Sequence, residues 1–299
     1  MDSIIGILLA ALSLICVGTY NIFIKRVVSK IGEYACAFYS TLIAALVLAV
    51  LAVFTTRLVM PSDIVVAAIV IGGLVGTFAF YLFYKALHGG TVSVVVPVVA
   101  MYVVWSSIIS CLIFKTAFGL YQILGTIVSL VALVMIAMDK PSFPKQFDEE
   151  HIISYLKSDM WCKGAGLAFV VSFCFTIMKV AARYGTDEIG THRTLLYMAM
   201  LVLFFLMFAF LGRSAKELVK LPAKGDKKNL GIGVLLLGLG ISFFYFAITY
   251  QPIRIVAPML YAFPIVAAIS SAKLLKEKLK RYQYVGIVLL TIGIILISL

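Results

Sequence analysis

Carboxylates are scarce in this chain: Asp and Glu number 13 among 299 residues, and none falls in the central part of a long apolar run. Charged residues of both signs make up 13%, where about 25% is usual in soluble domains. So little charge cannot cover the surface of a soluble fold of this length, which excludes a soluble enzyme and a disordered chain. Cysteine is sparse too. Cys16, Cys36, Cys111, Cys162 and Cys174 are scattered, four of them in or near apolar runs, with no metal-ligand spacing. That excludes a disulfide scaffold and makes them buried small side chains. HExxH, Walker, GxGxxG and Ser–His–Asp patterns are all missing, so no catalytic residue, metal or cofactor is expected. Met1-Asp2-Ser3 has no basic stretch or cleavage site, so the first apolar segment reads as a retained helix.

Apolar sequence fills the space left by charge. Hydrophobic residues make up 63% of the chain, and they gather into ten long uncharged runs. These are Ser3–Ile24, Tyr34–Thr56, Ile64–Tyr84, Gly89–Phe114, Thr116–Met138, Gly164–Met178, Thr194–Gly212, Asn229–Ile253, Ile255–Ala272 and Tyr282–Leu299. A bilayer-crossing helix needs about 20 predominantly apolar residues. The runs are apolar all round rather than alternating, which fits membrane helices and not barrel strands. The sixth reaches span length if Lys179 lies inside the helix or at its lip. Two loops have bulk, 139–163 and 213–228. In the first, Ile152–Leu156 has the pattern of a short amphipathic helix, but the loop reads more simply as a connector.

The net charge of +12 is distributed unevenly. Connections 1–2, 5–6, 7–8 and 9–10 carry nearly all the Lys and Arg, including Lys25, Arg26, Lys30, Lys276, Lys278, Lys280 and Arg281. The positive-inside rule places those loops in the cytoplasm and both termini outside. The surplus therefore reports topology, and no nucleic-acid partner is expected.

The chain also repeats itself. A shift of 161 positions lays Phe83-Tyr84 on Phe244-Tyr245, Pro97 on Pro258, Lys115 on Lys276, Tyr121-Gln122 on Tyr282-Gln283 and Gly125 on Gly286. A shift of 154 lays Lys25 on Lys179. Each copy holds five helices, an odd number, so the second copy enters the membrane from the opposite face. The expected fold is an all-α integral membrane protein of ten transmembrane helices in two inverted five-helix repeats, 1–139 and 164–299, joined by a connecting loop, 140–163. Inverted repeats of this kind are the architecture of many secondary transporters.

The stretch Ala86-Leu87, Thr91-Val92-Ser93, Pro97 resembles the third-to-fourth-helix signature of the EamA-type drug/metabolite transporter superfamily. So does the run from Ile255 through Pro258 to Lys276-Glu277-Lys278, followed by Gly286 and a hydrophobic C-terminal helix. Gly18, Asn21 and Lys25 are similar to that family's first-helix stretch. The resemblance covers both five-helix units. It implies a central cavity, lined by helices other than the fifth and tenth, and termini in the cytoplasm, against the loop charges. The chain departs from the family pattern where a glutamate closes the fourth helix: Thr116 stands there, and only the second copy keeps the acid, as Glu277. Among its cationic neighbours, Glu277 reads as a structural ion-pair residue.

The candidate pathway residues are basic and aromatic. An intramembrane lysine is costly unless paired or hydrated, so each is a functional candidate. Lys85, Arg254 and Lys273 read as span ends snorkelling to headgroups. Lys25 and Lys179 match across the repeat and are expected to flank the cavity and meet a carboxylate or phosphate-like group. Asn21, Tyr81, Tyr102, Trp105, Tyr245 and Tyr261 complete the expected substrate-binding set, whereas Tyr84, Tyr250 and Gln251 fit an interfacial belt. Pro97, Pro258 and Pro264 interrupt the fourth and ninth spans and are candidate hinges. The cluster Asp187, Glu188, His192 and Arg193 reads as a solvated loop. The expected function is secondary transport of a small metabolite, an amino acid or a related amphiphilic or anionic compound, by alternating access. The chain is expected to act as a monomer in the inner cell membrane, with lipid and substrate as its partners. An exporter of aromatic or cationic compounds is the alternative, and a lipid-headgroup-handling protein is the rival from another class.

Overall fold

The computed structural model describes residues 2–55, 61–114, 119–138, 164–211, 224–251, 256 and 259–298. The connecting loop 140–163, most of the loop 213–228, and Lys115, Thr116, Arg254 and Pro258 lie outside them. The first half contains α1 (Asp2–Ile31), α2 (Glu33–Thr55), α3 (Asp63–Gly89), α4 (Val92–Ala100), α5 (Tyr102–Phe114) and α6 (Leu120–Ala137). The second contains α7 (Ala165–Ile189), α8 (Thr191–Leu211), α9 (Lys224–Tyr250), α10 (Phe263–Leu274) and α11 (Arg281–Ser298). Seven helices among the described residues are long and apolar enough to cross a membrane, and three more, Arg193–Met207, Met259–Leu274 and Arg281–Ile297, are apolar but shorter. Ten apolar helices are thus counted among the described residues, the number expected, and seven of them reach span length. Large apolar side chains such as Ile4, Phe78, Leu112 and Leu120 face outward, more than 60% exposed, as a lipid-facing surface requires.

Turn chemistry repeats with the sequence. Gly32 ends α1 at φ 88° and Gly190 ends α7 at φ 85°, a left-handed conformation that favours glycine. The fourth span breaks at Met101, between α4 and α5, and the ninth breaks at Ala262, just before α10. These two breaks are 161 positions apart. Pro97 lies inside α4 upstream of its break, while Pro264 occupies the first turn of α10, where proline is well tolerated. Pro264 therefore starts a helix and does not kink the interior of one.

Packing between the halves follows the same exchange. α1 packs on α9 as α3 packs on α7, α2 meets α8, and α6 meets α11. The contact of α1 with α10 is matched by that of α4 and α5 with α7. Helices α6 and α11 run antiparallel: Gly125 abuts Gly293 and Ile297, and its mate Gly286 abuts Ala132 and Ile136. Small residues allow this close approach.

The packed pairs also fix the register of α1 on α7. Thr176 Oγ1 donates to the Tyr102 carbonyl at 3.2 Å. At the related contact, a Cβ on Gly18 would lie 3.2 Å from the Phe263 carbonyl. Gly18 and Thr176 are 158 positions apart, as are Gly32 and Gly190. The 154 shift is therefore off by one helical turn. Lys25 corresponds to Arg183, and Lys179 corresponds to Asn21.

Candidate functional site

Five tyrosines and one lysine line a cavity of about 400 Å³ between the halves. Tyr20 comes from α1, Tyr84 from α3, Tyr102 from α5, Lys179 from α7, Tyr245 from α9, and Tyr261 from the turn before α10. Ser13, Ser40, Thr41 and Ser106 add hydroxyls, and Met178 and Met198 supply adaptable apolar wall. No Asp or Glu is among the lining residues. Lys179 stays accessible within the cavity, and its Nζ lies 5.9 Å from the centre of the Tyr102 ring, within cation–π range. The ring pairs Phe83–Tyr84 and Phe244–Tyr245 are repeat mates with nearly the same edge-on geometry, at 5.2 and 5.5 Å. The Thr41 hydroxyl is buried without a hydrogen-bond partner.

Of the expected substrate residues, the cavity gathers Tyr102, Lys179, Tyr245 and Tyr261. It does not gather Asn21, Lys25, Tyr81 or Trp105. Asn21 is buried in α1, its Nδ2 donating to the Val17 carbonyl at 3.3 Å and its Oδ1 unpartnered. Trp105 faces α7, stacked on Phe173 at 4.7 Å and edge-on to Phe169. Tyr81 is half-buried away from the lining. Tyr84, read from the sequence as an interfacial ring, is 1% exposed and belongs to the cavity wall. Tyr20 and Tyr84 were legible only as aromatics near basic residues; the pairing of Tyr84 with Tyr245 across the repeat was the available signal.

Lys25 is used elsewhere. Its Nζ donates to the carbonyls of Leu87, His88 (3.0 Å) and Gly90 (2.7 Å), at the C-terminus of α3. An ammonium has three donors, and these carbonyls take all of them. The last carbonyls of a helix have no intrahelical partner and sit at the negative end of its dipole, so a cation fits there. Glu277 holds the other side of the same turn. Its Oε1 accepts from Val92 N–H at 2.9 Å, and its Oε2 accepts from Ser93 N–H at 3.0 Å and Ser93 Oγ at 2.6 Å. The carboxylate therefore caps the N-terminus of α4 rather than pairing with loop cations. Lys276 makes this reach possible: at φ 56° it ends α10 in the left-handed region and turns the chain toward α4. Gly164, at φ 84°, brings the start of α7 onto the same turn, where a Cβ would meet the Ala86 carbonyl at 2.7 Å.

Further ties gather at this end. Lys30 pairs with Asp226 at 2.6 Å, Arg26 donates to the Leu274 carbonyl at 2.9 Å, and His88 contacts Glu33 at 2.6 Å. Every residue of Val92–Ala100 is buried, as are Val27, Val28, Ile31 and Ala35–Ala37. At the opposite end, Glu188 accepts from the Ser62 backbone N–H and from Ser62 Oγ (2.7 Å), which holds its carboxyl below the ordinary value. Arg193, expected on a solvated loop, is 6% exposed with Nη2 unpartnered. The cavity thus has one packed, polar-tied end and lies toward the other.

A helical chain with a lipid-facing surface and, between two related halves, a mainly apolar cavity holding one lysine and several hydroxyls has the build of a multi-pass membrane transporter. The EamA-like transporter family matches the sequence twice, over residues 4–138 and 162–299. The chain belongs to this family of the drug/metabolite transporter superfamily. A solved protein crystal structure, 14% identical, is similar over 99% of this chain and 95% of its own, with a TM-score of 0.61, which bears on the fold alone. No curated protein matches the sequence.

Proposed function

We propose that this transporter moves a small amphiphilic metabolite with an anionic group, an amino acid or a related compound, by alternating access between its inverted halves. Lys179 carries the reading: a lysine accessible in a cavity whose lining holds no carboxylate. A lysine at membrane depth is costly unless paired or hydrated, and an incoming anionic group supplies the partner. The tyrosines suit the apolar body of such a molecule, and about 400 Å³ suits its size. Asn21, the repeat mate of Lys179, joins the site with Tyr81 and Trp105 when the halves rearrange, and the breaks near Pro97, Pro258 and Pro264 act as hinges. The chain works as a monomer in the inner cell membrane, without a cofactor, drawing on a gradient or on exchange.

Counterflow in proteoliposomes against a metabolite panel tests this. Losing a charge-assisted contact is worth about tenfold or more, so Lys179→Gln is expected to lower uptake of anionic solutes by at least that factor. Unchanged uptake kinetics with normal membrane insertion would overturn the reading. The five tyrosines favour a second reading, export of aromatic or cationic compounds. In that case Lys179→Gln raises transport of cations by removing a repulsion. Turnover without translocation would point instead to a lipid-headgroup-handling protein.

A further inference from the structure

We propose that Lys25 and Glu277 form the lock that closes one end of the pathway, with the α3–α4 turn as its bolt. This rests on the alternating-access reading and adds the residues that decide which end is shut. Between Lys25 on its carbonyls and Glu277 on its amides, the turn from Leu87 to Ser93 has polar groups held on both sides by charge. The two holders come from different halves, so this end cannot open without releasing one of them. Lys25 sits on α1, and Glu277 follows α10.

The packing shows why the lock matters. Within the first half, α1 and α2 both touch α3, whose C-terminus carries the locked turn. Contacts of comparable extent between the related pairs, α7 with α9 and α8 with α9, are absent among the described residues. The halves are alike in sequence, so this asymmetry marks a conformational state: one end shut, the related end apart. The lock is itself asymmetric. The repeat mate of Lys25 is Arg183, which keeps the cation. The mate of Glu277 is Thr116, which carries no carboxylate. Among the described residues the full cation-and-carboxylate lock stands at the basic end alone, so the empty protein rests with that end closed.

Repeat mates supply the reporters. Ala37 on α2 is fully buried at the locked end, and Leu195, its mate on α8, lines the cavity. In a background with all five cysteines replaced by alanine, Ala37→Cys and Leu195→Cys are placed separately. Labelling by a membrane-impermeant maleimide is followed in nanodiscs, where both faces are accessible. The expected result is slow labelling at 37 and fast labelling at 195. Lys25→Met and Glu277→Gln should each raise labelling at 37 about tenfold and lower it at 195, since each removes charge-assisted hydrogen bonds. Lys25→Arg, which keeps donors for the carbonyls, should restore the original pattern. Opposite changes at the two mates distinguish a shift of state from a loosened fold, which would raise both. No change at 37, or a rise at both positions, overturns the lock. Uptake is measured in parallel. A clean exchange of reactivity with no transport of any panel solute would leave the lock standing and overturn the transport reading; intact uptake without the exchange would do the reverse.

Discussion

At Thr41 a single hydroxyl separates stability from function. It lies in the cavity wall, 3% exposed, with no partner for its oxygen. A buried, unpaired hydroxyl costs about 1–3 kcal/mol of desolvation, so the empty protein carries a penalty that a polar substrate group would relieve. Thr41→Val keeps the shape and removes the penalty. It is expected to raise the unfolding temperature of the empty protein while shrinking the further rise caused by a transported solute. Thermal unfolding with and without that solute checks both signs, and an undiminished ligand shift would remove Thr41 from the site. Lys25 makes the complementary point: a lysine at membrane depth invites a substrate role, yet here it is saturated by three backbone carbonyls. Sequence placed the cost of Lys25 correctly but not the group that relieves it, because helix-end carbonyls have no side-chain signature.

Among the elements, α6 and α11 form the plainest repeat pair, and glycine sets their distance. A Cβ at Gly125 would lie 2.5 Å from the Gly293 carbonyl, and one at Gly293 would strike Ser129. Gly293→Leu is therefore expected to force the helices apart and cost about 1–3 kcal/mol as overpacking, read as a lower unfolding temperature in detergent. Neither helix lines the cavity, so solute affinity of the surviving folded protein should hold. The tie between Glu188 and Ser62 at the start of α3 gives a pH-dependent test. Its carboxyl is held below the ordinary value of about 4.3, so its contribution is present above that pH and is lost as pH falls through the lower folded value. The stability difference between the wild type and Glu188→Gln should accordingly be constant from neutral pH down to about 5 and shrink as pH falls further, through the lower folded value. The helices themselves were legible, since long apolar runs punctuated by Gly32 and Gly190 leave little choice of structure. The α1–α7 register was not: Lys25 and Lys179 align attractively at 154, and only the contacts of Gly18 and Thr176 reveal the extra turn.

For the whole molecule, the balance between its two closed states depends on the few interactions that differ between them, because the repeat cancels the rest. The basic end holds Lys25, Glu277 and the pair Lys30–Asp226, and these do not weigh equally. Asp226 is 11% exposed but its partner Lys30 is 58% exposed, and a pair whose cation stays in water contributes only about 1 kcal/mol after screening and side-chain entropy. Glu277 caps a buried helix start with three accepted hydrogen bonds, and bonds to a charged group are worth about 1.5–3 kcal/mol each when partly buried. The lock should therefore dominate the pair. Asp226→Asn is expected to change labelling at position 37 by less than about threefold, with an effect that fades above 0.5 M salt as screening becomes complete over roughly 4 Å. Glu277→Gln should exceed it several-fold and persist at high salt. If Asp226→Asn matched or surpassed Glu277→Gln, closure would be a matter of surface charge on the basic face, and the capped turn would be a passenger in it.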